Sequence, residues 1–249
     1  MNSEKSLWRR AVPGELISTN EVHVWRVFID TTDFQSESLR GILSTDELTR
    51  AEQFRFERDQ KRFIMARGIL RKILSSYLGM KPHQLRFEYT SHGKPVLAAN
   101  SACNNLGFNL SHSGAIALYA VTRGSNIGID LERIHDNLDV GLIAQRFFSP
   151  GEIRSLERID DNKRTEVFFQ YWTRKEAFIK AMGDGVSFPM ELCDVSLFSE
   201  RALSPITLLG DPIESRGWYG KDLFPGHGYA AAIAVEGSDW EFSCREYIV

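Results

Sequence analysis

The stretch Ile127-Gly128-Ile129-Asp130-Leu131-Glu132-Arg133-Ile134 reads as a β-strand whose side chains alternate between two faces. Asp130 and Glu132 then project together, while Ile129 and Leu131 face the other way. Two carboxylates on one strand face can hold a hard cation such as Mg²⁺, which takes oxygen ligands and is commonly bound by one or two carboxylates plus substrate phosphates. A solvated strand face is the competing reading of this short stretch alone.

Downstream, the spacing predicts a helix near Gly141 to Phe148, a second opened by Ser149-Pro150-Gly151-Glu152, and a long one from about Arg164 to Met182 ended by Gly183. On the long helix Phe168, Phe169, Trp172, Phe178 and Ile179 define an apolar arc, and Lys175 and Glu176 fall inside it. Charged groups are rarely buried unless paired, so these two point to a site at the edge of the core. Lys180 follows Glu176 by one turn, a spacing that also suits an ordinary ion pair.

Upstream, strands at Phe108 to Leu110 and Ala115 to Val121 flank Ser111-His112-Ser113-Gly114, a polar turn that can cradle a phosphate with backbone N–H groups, hydroxyls and an imidazole. Gly93-Lys94-Pro95 is a turn leading into a short strand at Val96-Leu97. A helix runs from Asp59 to Leu78 and stops at Gly79. Its Arg58, Arg62, Arg67 and Arg71 form pairs one turn apart that can meet phosphates or, by default, solvate the outer faces. Ser44 with Glu47 forms a capping box that starts an earlier helix, and Glu21 to Ile29 is a strand.

The remainder, Val195 to Val249, is rich in aromatic and β-branched residues and reads as several antiparallel strands, making the fold α+β. His112-Ser113-Gly114 precedes one Ala-containing strand, and His227-Gly228-Tyr229 precedes another at Ala230 to Val235. That echo suggests two similar halves, divided as 1–123 and 124–249.

With 249 residues, 43% apolar and 11% aromatic, the chain can bury a substantial core. A net charge of −3 and a pI near 6.1 disfavour a nucleic-acid partner. Cys103, Cys193 and Cys244 have no C-x-x-C spacing, which argues against a disulfide framework or a zinc site. No apolar run is long enough to span a bilayer and Met1 to Arg10 is polar, so the expectation is a cytoplasmic protein with no membrane partner.

Taken in order, the Gly93 to Leu97, Phe108 to Gly114 and Ile127 to Ile134 segments resemble successive signatures of the surfactin-type (Sfp-type) 4′-phosphopantetheinyl transferases. Phe147-Phe148-Ser149-Pro150-Gly151-Glu152 and Trp172-Thr173-Arg174-Lys175-Glu176-Ala177-Phe178-Ile179-Lys180-Ala181, followed by Gly183-Asp184-Gly185, resemble the last two blocks. The resemblance is strong over about residues 90 to 190. It implies a pseudo-twofold α+β fold with the coenzyme A site in the cleft between the halves. It further implies transfer of the phosphopantetheine arm of coenzyme A to a serine of an apo acyl, peptidyl or polyketide carrier; the chain length and the internal echo favour a monomer with both halves in one chain.

By the same resemblance, Asp130, Glu132 and Glu176 hold Mg²⁺ or Mn²⁺, Glu176 is the general base, and Lys180 neutralises charge on the diphosphate. Ser111, His112, Lys94 with Pro95, Arg62 and Lys175 are implied as coenzyme A contacts. Relatives often carry nucleotide-binding lysines where this chain has Ser44 to Gln53, in which only Arg50 is basic. The alternatives are a coenzyme A binding module without chemistry and a metal-dependent nuclease, whose cores usually place Glu-x-Lys on a strand.

Overall fold

The computed structural model describes residues 8–14, 16–30, 33–98, 105–183, 188–196, 198, 202–209 and 217–248. Cys103, Asp184 and Gly185 lie outside them. Strands β1 (Arg9–Ala11) and β2 (Glu21–Phe28) lead into helices α1 (Asp33–Arg40), α2 (Thr45–Glu52) and α3 (Glu57–Leu78). Four short or medium strands follow, β3 (Phe87–Tyr89), β4 (Pro95–Leu97), β5 (Leu106–Ser113) and β6 (Ile116–Arg123). Then come β7 (Ile127–Arg133), α4 (Val140–Phe147), α5 (Pro150–Glu157) and α6 (Asp161–Met182). The chain closes with β8 (Cys193–Asp194), β9 (Ser204–Pro205), β10 (Thr207–Leu208), β11 (Trp218–Leu223), β12 (Tyr229–Glu236) and β13 (Glu241–Tyr247).

Two sheets form the centre, with strand orders β1-β13-β2-β6-β5 and β7-β12-β11-β9. Alternation on the central strands builds three cores. Ile116, Leu118 and Ala120 of β6 meet Ile129, Leu131 and Ile233 of the second sheet. The opposite faces of the sheets are covered by helices: Tyr119 and Val121 pack under Ile69 and Ile73 of α3, and Ala230, Ala232 and Ala234 under Phe178 of α6. The result is helix, sheet, sheet, helix.

The halves repeat one topology. β2, α3, β5 and β6 give the sheet order β2-β6-β5, and β7, α6, β11 and β12 give β7-β12-β11, antiparallel throughout. The echoed strands β6 and β12 hold the middle of each set. The last strand departs from the antiparallel expectation: β13 pairs parallel to β2 and to β1, tying the end of the chain into the first sheet. Sequence patterning cannot anticipate a partner about two hundred residues away.

A second departure matters more for function. β5 continues through Ser113, so Ser111, His112 and Ser113 are strand residues and the turn is confined to Gly114 and Ala115. Edge strands β5 and β7 lie side by side and are joined by side chains: Ile129 N–H donates to Asn109 Oδ1 at 2.9 Å, Ser111 Oγ to Asp130, and Ser113 Oγ to Glu132. Polarity there serves the junction of two sheets rather than a turn.

α6 lies on β7 at Gly128. A Cβ at that position would stand 2.0 Å from Ala177 O and 2.4 Å from Ala181 N. Gly128→Ala should therefore displace the helix and cost at least about 3 kcal/mol, the upper end for overpacking, because the obstacle is backbone. Urea unfolding measures this, and a loss under about 1 kcal/mol would show that the contact is soft.

Candidate functional site

The close approach at Gly128 sets α6 side by side with the acidic face of β7. Lys180 Nζ reaches Asp130 Oδ1 at 2.6 Å and Ser111 Oγ at 3.3 Å, and Ser111 Oγ donates to the same Asp130 oxygen at 2.9 Å. Asp130 is 2% exposed, and its other oxygen, Oδ2, is buried and accepts no hydrogen bond. Buried carboxylate oxygens nearly always have a partner, so this one marks a place for a ligand.

These residues line an open cleft of about 490 Å³ between the halves. Asp130, Glu132, Trp172, Glu176 and Lys180 form the wall from the second half. The opposite wall comes from Arg50, Phe63, Arg67 and Tyr89, completed by Gly93, Pro95, Ser111 and His112.

Electrostatics follow from this crowding. Burial, with Asp130 close by, raises both Glu132 and Glu176 above the usual carboxylate value. Burial alone would lower Lys180, but Asp130, Glu176 and Glu132 hold its ammonium above its ordinary value. Desolvation by the cleft walls, with Lys180 and Arg62 nearby, pushes His112 below the usual imidazole value. Surplus negative charge in a confined site is what a cation relieves.

Among the described residues, no three Asp, Glu, His or Cys side chains stand close enough to enclose an ion by themselves. The donor set nevertheless fits a hard cation of the Mg²⁺ class, which completes its shell with water and substrate oxygens. Asp130 Oδ2 is the uncommitted ligand, with Glu132 and Glu176 beside it.

One expectation about the coenzyme A contacts is corrected. Lys175 is fully buried, its ammonium 2.8 Å from Glu152 Oε2 and also donating to the carbonyls of Met190 and Cys193. It faces away from the cleft, because the apolar arc of α6 packs against α5 and the 190–195 segment on that side. Lys94 Nζ donates to backbone carbonyls of Ile127 and Lys180 and is absent from that wall, but the residue lines an adjoining cavity of about 280 Å³ together with Gly93, Pro95, Glu176 and Lys180. Arg62 forms a two-pronged bond with Asp30, 2.7 and 2.8 Å, just outside the wall. Ser111 and His112 are in the wall, with Ser111 engaged by Asp130.

The arginines at 67 and 71 depart from the solvated-face expectation. Glu47, the capping-box residue of α2, is buried between Arg67 Nε at 3.1 Å and Arg71 Nε at 2.7 Å. Arg67 extends past Glu47 to Tyr89 Oη at 2.6 Å and so reaches the cleft. Arg50 is the basic group that sequence reasoning left unassigned, and Arg67 takes the cleft-facing alternative to its default solvated role. The signal was present in Arg50 as the lone basic residue of its segment.

Known proteins match over the same regions. The profile of the 4′-phosphopantetheinyl transferase superfamily matches residues 126–234, and that of the 4′-phosphopantetheinyl transferase N-terminal region matches 31–123. The 4′-phosphopantetheinyl transferase HetI of Nostoc sp. is 40% identical over 94% of this chain and 95% of its own. Sfp of Bacillus subtilis is 28% identical over 73% and 79%. The L-aminoadipate-semialdehyde dehydrogenase-phosphopantetheinyl transferase of Mus musculus is 29% identical over 79% and 68%.

Breaking a satisfied buried ion pair leaves an uncompensated charge, so Lys175→Met should lower unfolding free energy by about 3–5 kcal/mol. Coenzyme A affinity of the folded protein, measured by calorimetry, should stay within about threefold of wild type. Weakened affinity at unchanged stability would return Lys175 to the cleft.

Proposed function

The chain belongs to the 4′-phosphopantetheinyl transferase superfamily, and from that premise we propose that its cleft binds coenzyme A and passes the phosphopantetheine arm to a carrier serine. The acceptor is an apo acyl carrier protein or a peptidyl or polyketide carrier domain, and 3′,5′-ADP is released. The observation that carries this reading is the polarity of one cleft: Arg50, Arg67 and His112 face a wall holding Asp130 with its uncommitted oxygen, Glu132, Glu176 and Lys180. A nucleotide with a diphosphate needs both, cations for its phosphates and carboxylates for its counter-ion.

The serine oxygen forms a bond to the phosphorus that carries pantetheine, and the bond from that phosphorus to the bridging diphosphate oxygen breaks. Glu176 takes the serine proton, directly or through a water. Lys180, held charged by its carboxylate neighbours, stabilises the negative charge that accumulates on departing 3′,5′-ADP. Asp130, Glu132 and Glu176 are the residues that would hold Mg²⁺ or Mn²⁺, and the ion would supply charge neutralisation and polarise the phosphate group under attack. Arg50, Arg67 and His112 position the nucleotide phosphates and transfer no proton to the reacting atoms.

Both cleft walls come from a single chain, which supports a monomer as the working unit. No helix of the described residues is long and apolar enough to cross a membrane. We place the reaction in the cytoplasm, where coenzyme A and apo carriers meet.

Glu176→Gln should cut 3′,5′-ADP release by at least about 100-fold while coenzyme A binding stays measurable, and a variant turning over normally would remove the base assignment. His112→Ala should weaken coenzyme A affinity about tenfold, with kcat much less affected.

The depressed pKa of His112 gives a second handle. A phosphate beside it raises that pKa on binding, so the free protein is less protonated than the complex. The added affinity is fully present below the free-state pKa and is lost as pH rises through the bound-state pKa. Calorimetry near neutral pH in buffers of different ionisation enthalpy should show proton uptake on coenzyme A binding that His112→Ala reduces. Equal uptake by the variant would place His112 off the phosphates.

A further inference from the structure

Lys94 sits in the β3–β4 turn, in the first half of the chain, yet its ammonium is bonded to the second half. It donates to Lys180 O at 2.5 Å and to Ile127 O at 3.3 Å. The turn itself is rigid: Gly93 N–H donates to Thr90 O at 2.8 Å, Thr90 N–H to Lys94 O at 3.0 Å, and Lys94 N–H to Thr90 Oγ1 at 3.2 Å. Gly93 takes the positive φ of 78° that this turn requires.

The two carbonyls it holds are significant ones. Lys180 O belongs to the last turn of α6, where carbonyls have no partner inside the helix. Gly183 N–H serves Ile179 O at 3.0 Å, and Lys94 serves the next carbonyl in line. A cation there also meets the negative end of the helix dipole. The helix's own last-turn cation, Lys180, is turned away toward Asp130. Ile127 opens β7, the strand that carries Asp130 and Glu132.

Stability alone does not call for a lysine here. Burial lowers its pKa to about 8, the sign of a charge incompletely compensated for lost water, and an apolar side chain of similar length would avoid that cost. What a lysine adds is a fixed distance between the turn that walls the cleft, with Gly93 and Pro95, and the end of the helix that carries Glu176 and Lys180.

We infer that Lys94 is a positioning residue for the transfer reaction: it latches the end of α6 and the start of β7 to the cleft-wall turn, setting Glu176 and Lys180 against Asp130 without touching a phosphate. The inference rests on the transferase reading of the cleft for its functional half, and on geometry alone for the latch.

The test is Lys94→Met, with Lys94→Gln alongside in case the first fails to fold; both are checked by thermal melting. Hydrogen exchange of the amides at residues 177–182 should quicken at least about tenfold in Lys94→Met, with the α3 amides unchanged. The kcat for phosphopantetheine transfer to an apo carrier should fall about tenfold or more, while the calorimetric Kd for coenzyme A stays within about threefold. Unchanged exchange at the end of α6 would overturn the latch whatever the activity. A Kd weakened about tenfold at preserved kcat would overturn it in favour of a direct phosphate contact. If the wild-type protein transfers nothing, the transferase reading fails, and the exchange measurement still decides whether the latch exists.

Discussion

The backbone contact between α6 and β7 at Gly128 is the constraint from which the site follows. A strand residue without a side chain lets the helix rest its backbone on the sheet. Two residues further along the strand, on the same face, comes Asp130; along the helix come Glu176 and Lys180. The spacing of Lys180 from Asp130, 2.6 Å, is a consequence of how closely the two elements approach. Any residue larger than glycine would push apart the groups that have to converge. The alanines of β12 extend the same accommodation across the sheet, as Ala230, Ala232 and Ala234 all face the helix.

The two halves solve one structural problem twice and put the solutions to different uses. In each, a serine-glutamate capping box opens a short helix, Ser44 with Glu47 and Ser149 with Glu152. The glutamate is then buried against a cation on the long helix: Arg71 with Arg67 in the first half, Lys175 in the second. Arg71 and Lys175 are each the fifteenth residue of a 22-residue helix. Both long helices end on a left-handed glycine, Gly79 and Gly183. The first half adds Arg67, which continues into the cleft and makes a structural ion pair part of a cationic wall. The second half leaves its ion pair wholly internal and takes its chemistry from the next turns of the helix, at Glu176 and Lys180.

Much of this was legible in the sequence. The long helices, their glycine stops and the capping boxes carry local signals, and local signals survive folding. Spacing alone left Asp130 and Glu132 as a possible solvated face and Glu176 with Lys180 as a possible ion pair, and it was the order of the family motifs that singled the four out. What sequence could not supply is direction and partner. Lys175 and Glu176 are neighbours in an identical motif context, yet a rotation of one residue sends one into the core and the other to the cleft. Lys94 lies in a segment that does wall the cleft, but its side chain leaves by another route. Ser111 and Ser113 looked like turn residues because hydroxyls favour turns, whereas here they bridge the edges of two sheets. The parallel pairing of β13 depends on contacts that no local pattern encodes.

The measurement that tests the account most directly is intact-mass spectrometry of an apo carrier protein after incubation with this protein, coenzyme A and Mg²⁺. The account predicts a mass gain of one phosphopantetheine on the carrier, lost when EDTA is present. No gain on fatty-acid, polyketide and peptidyl carriers alike, despite measurable coenzyme A binding, would contradict it.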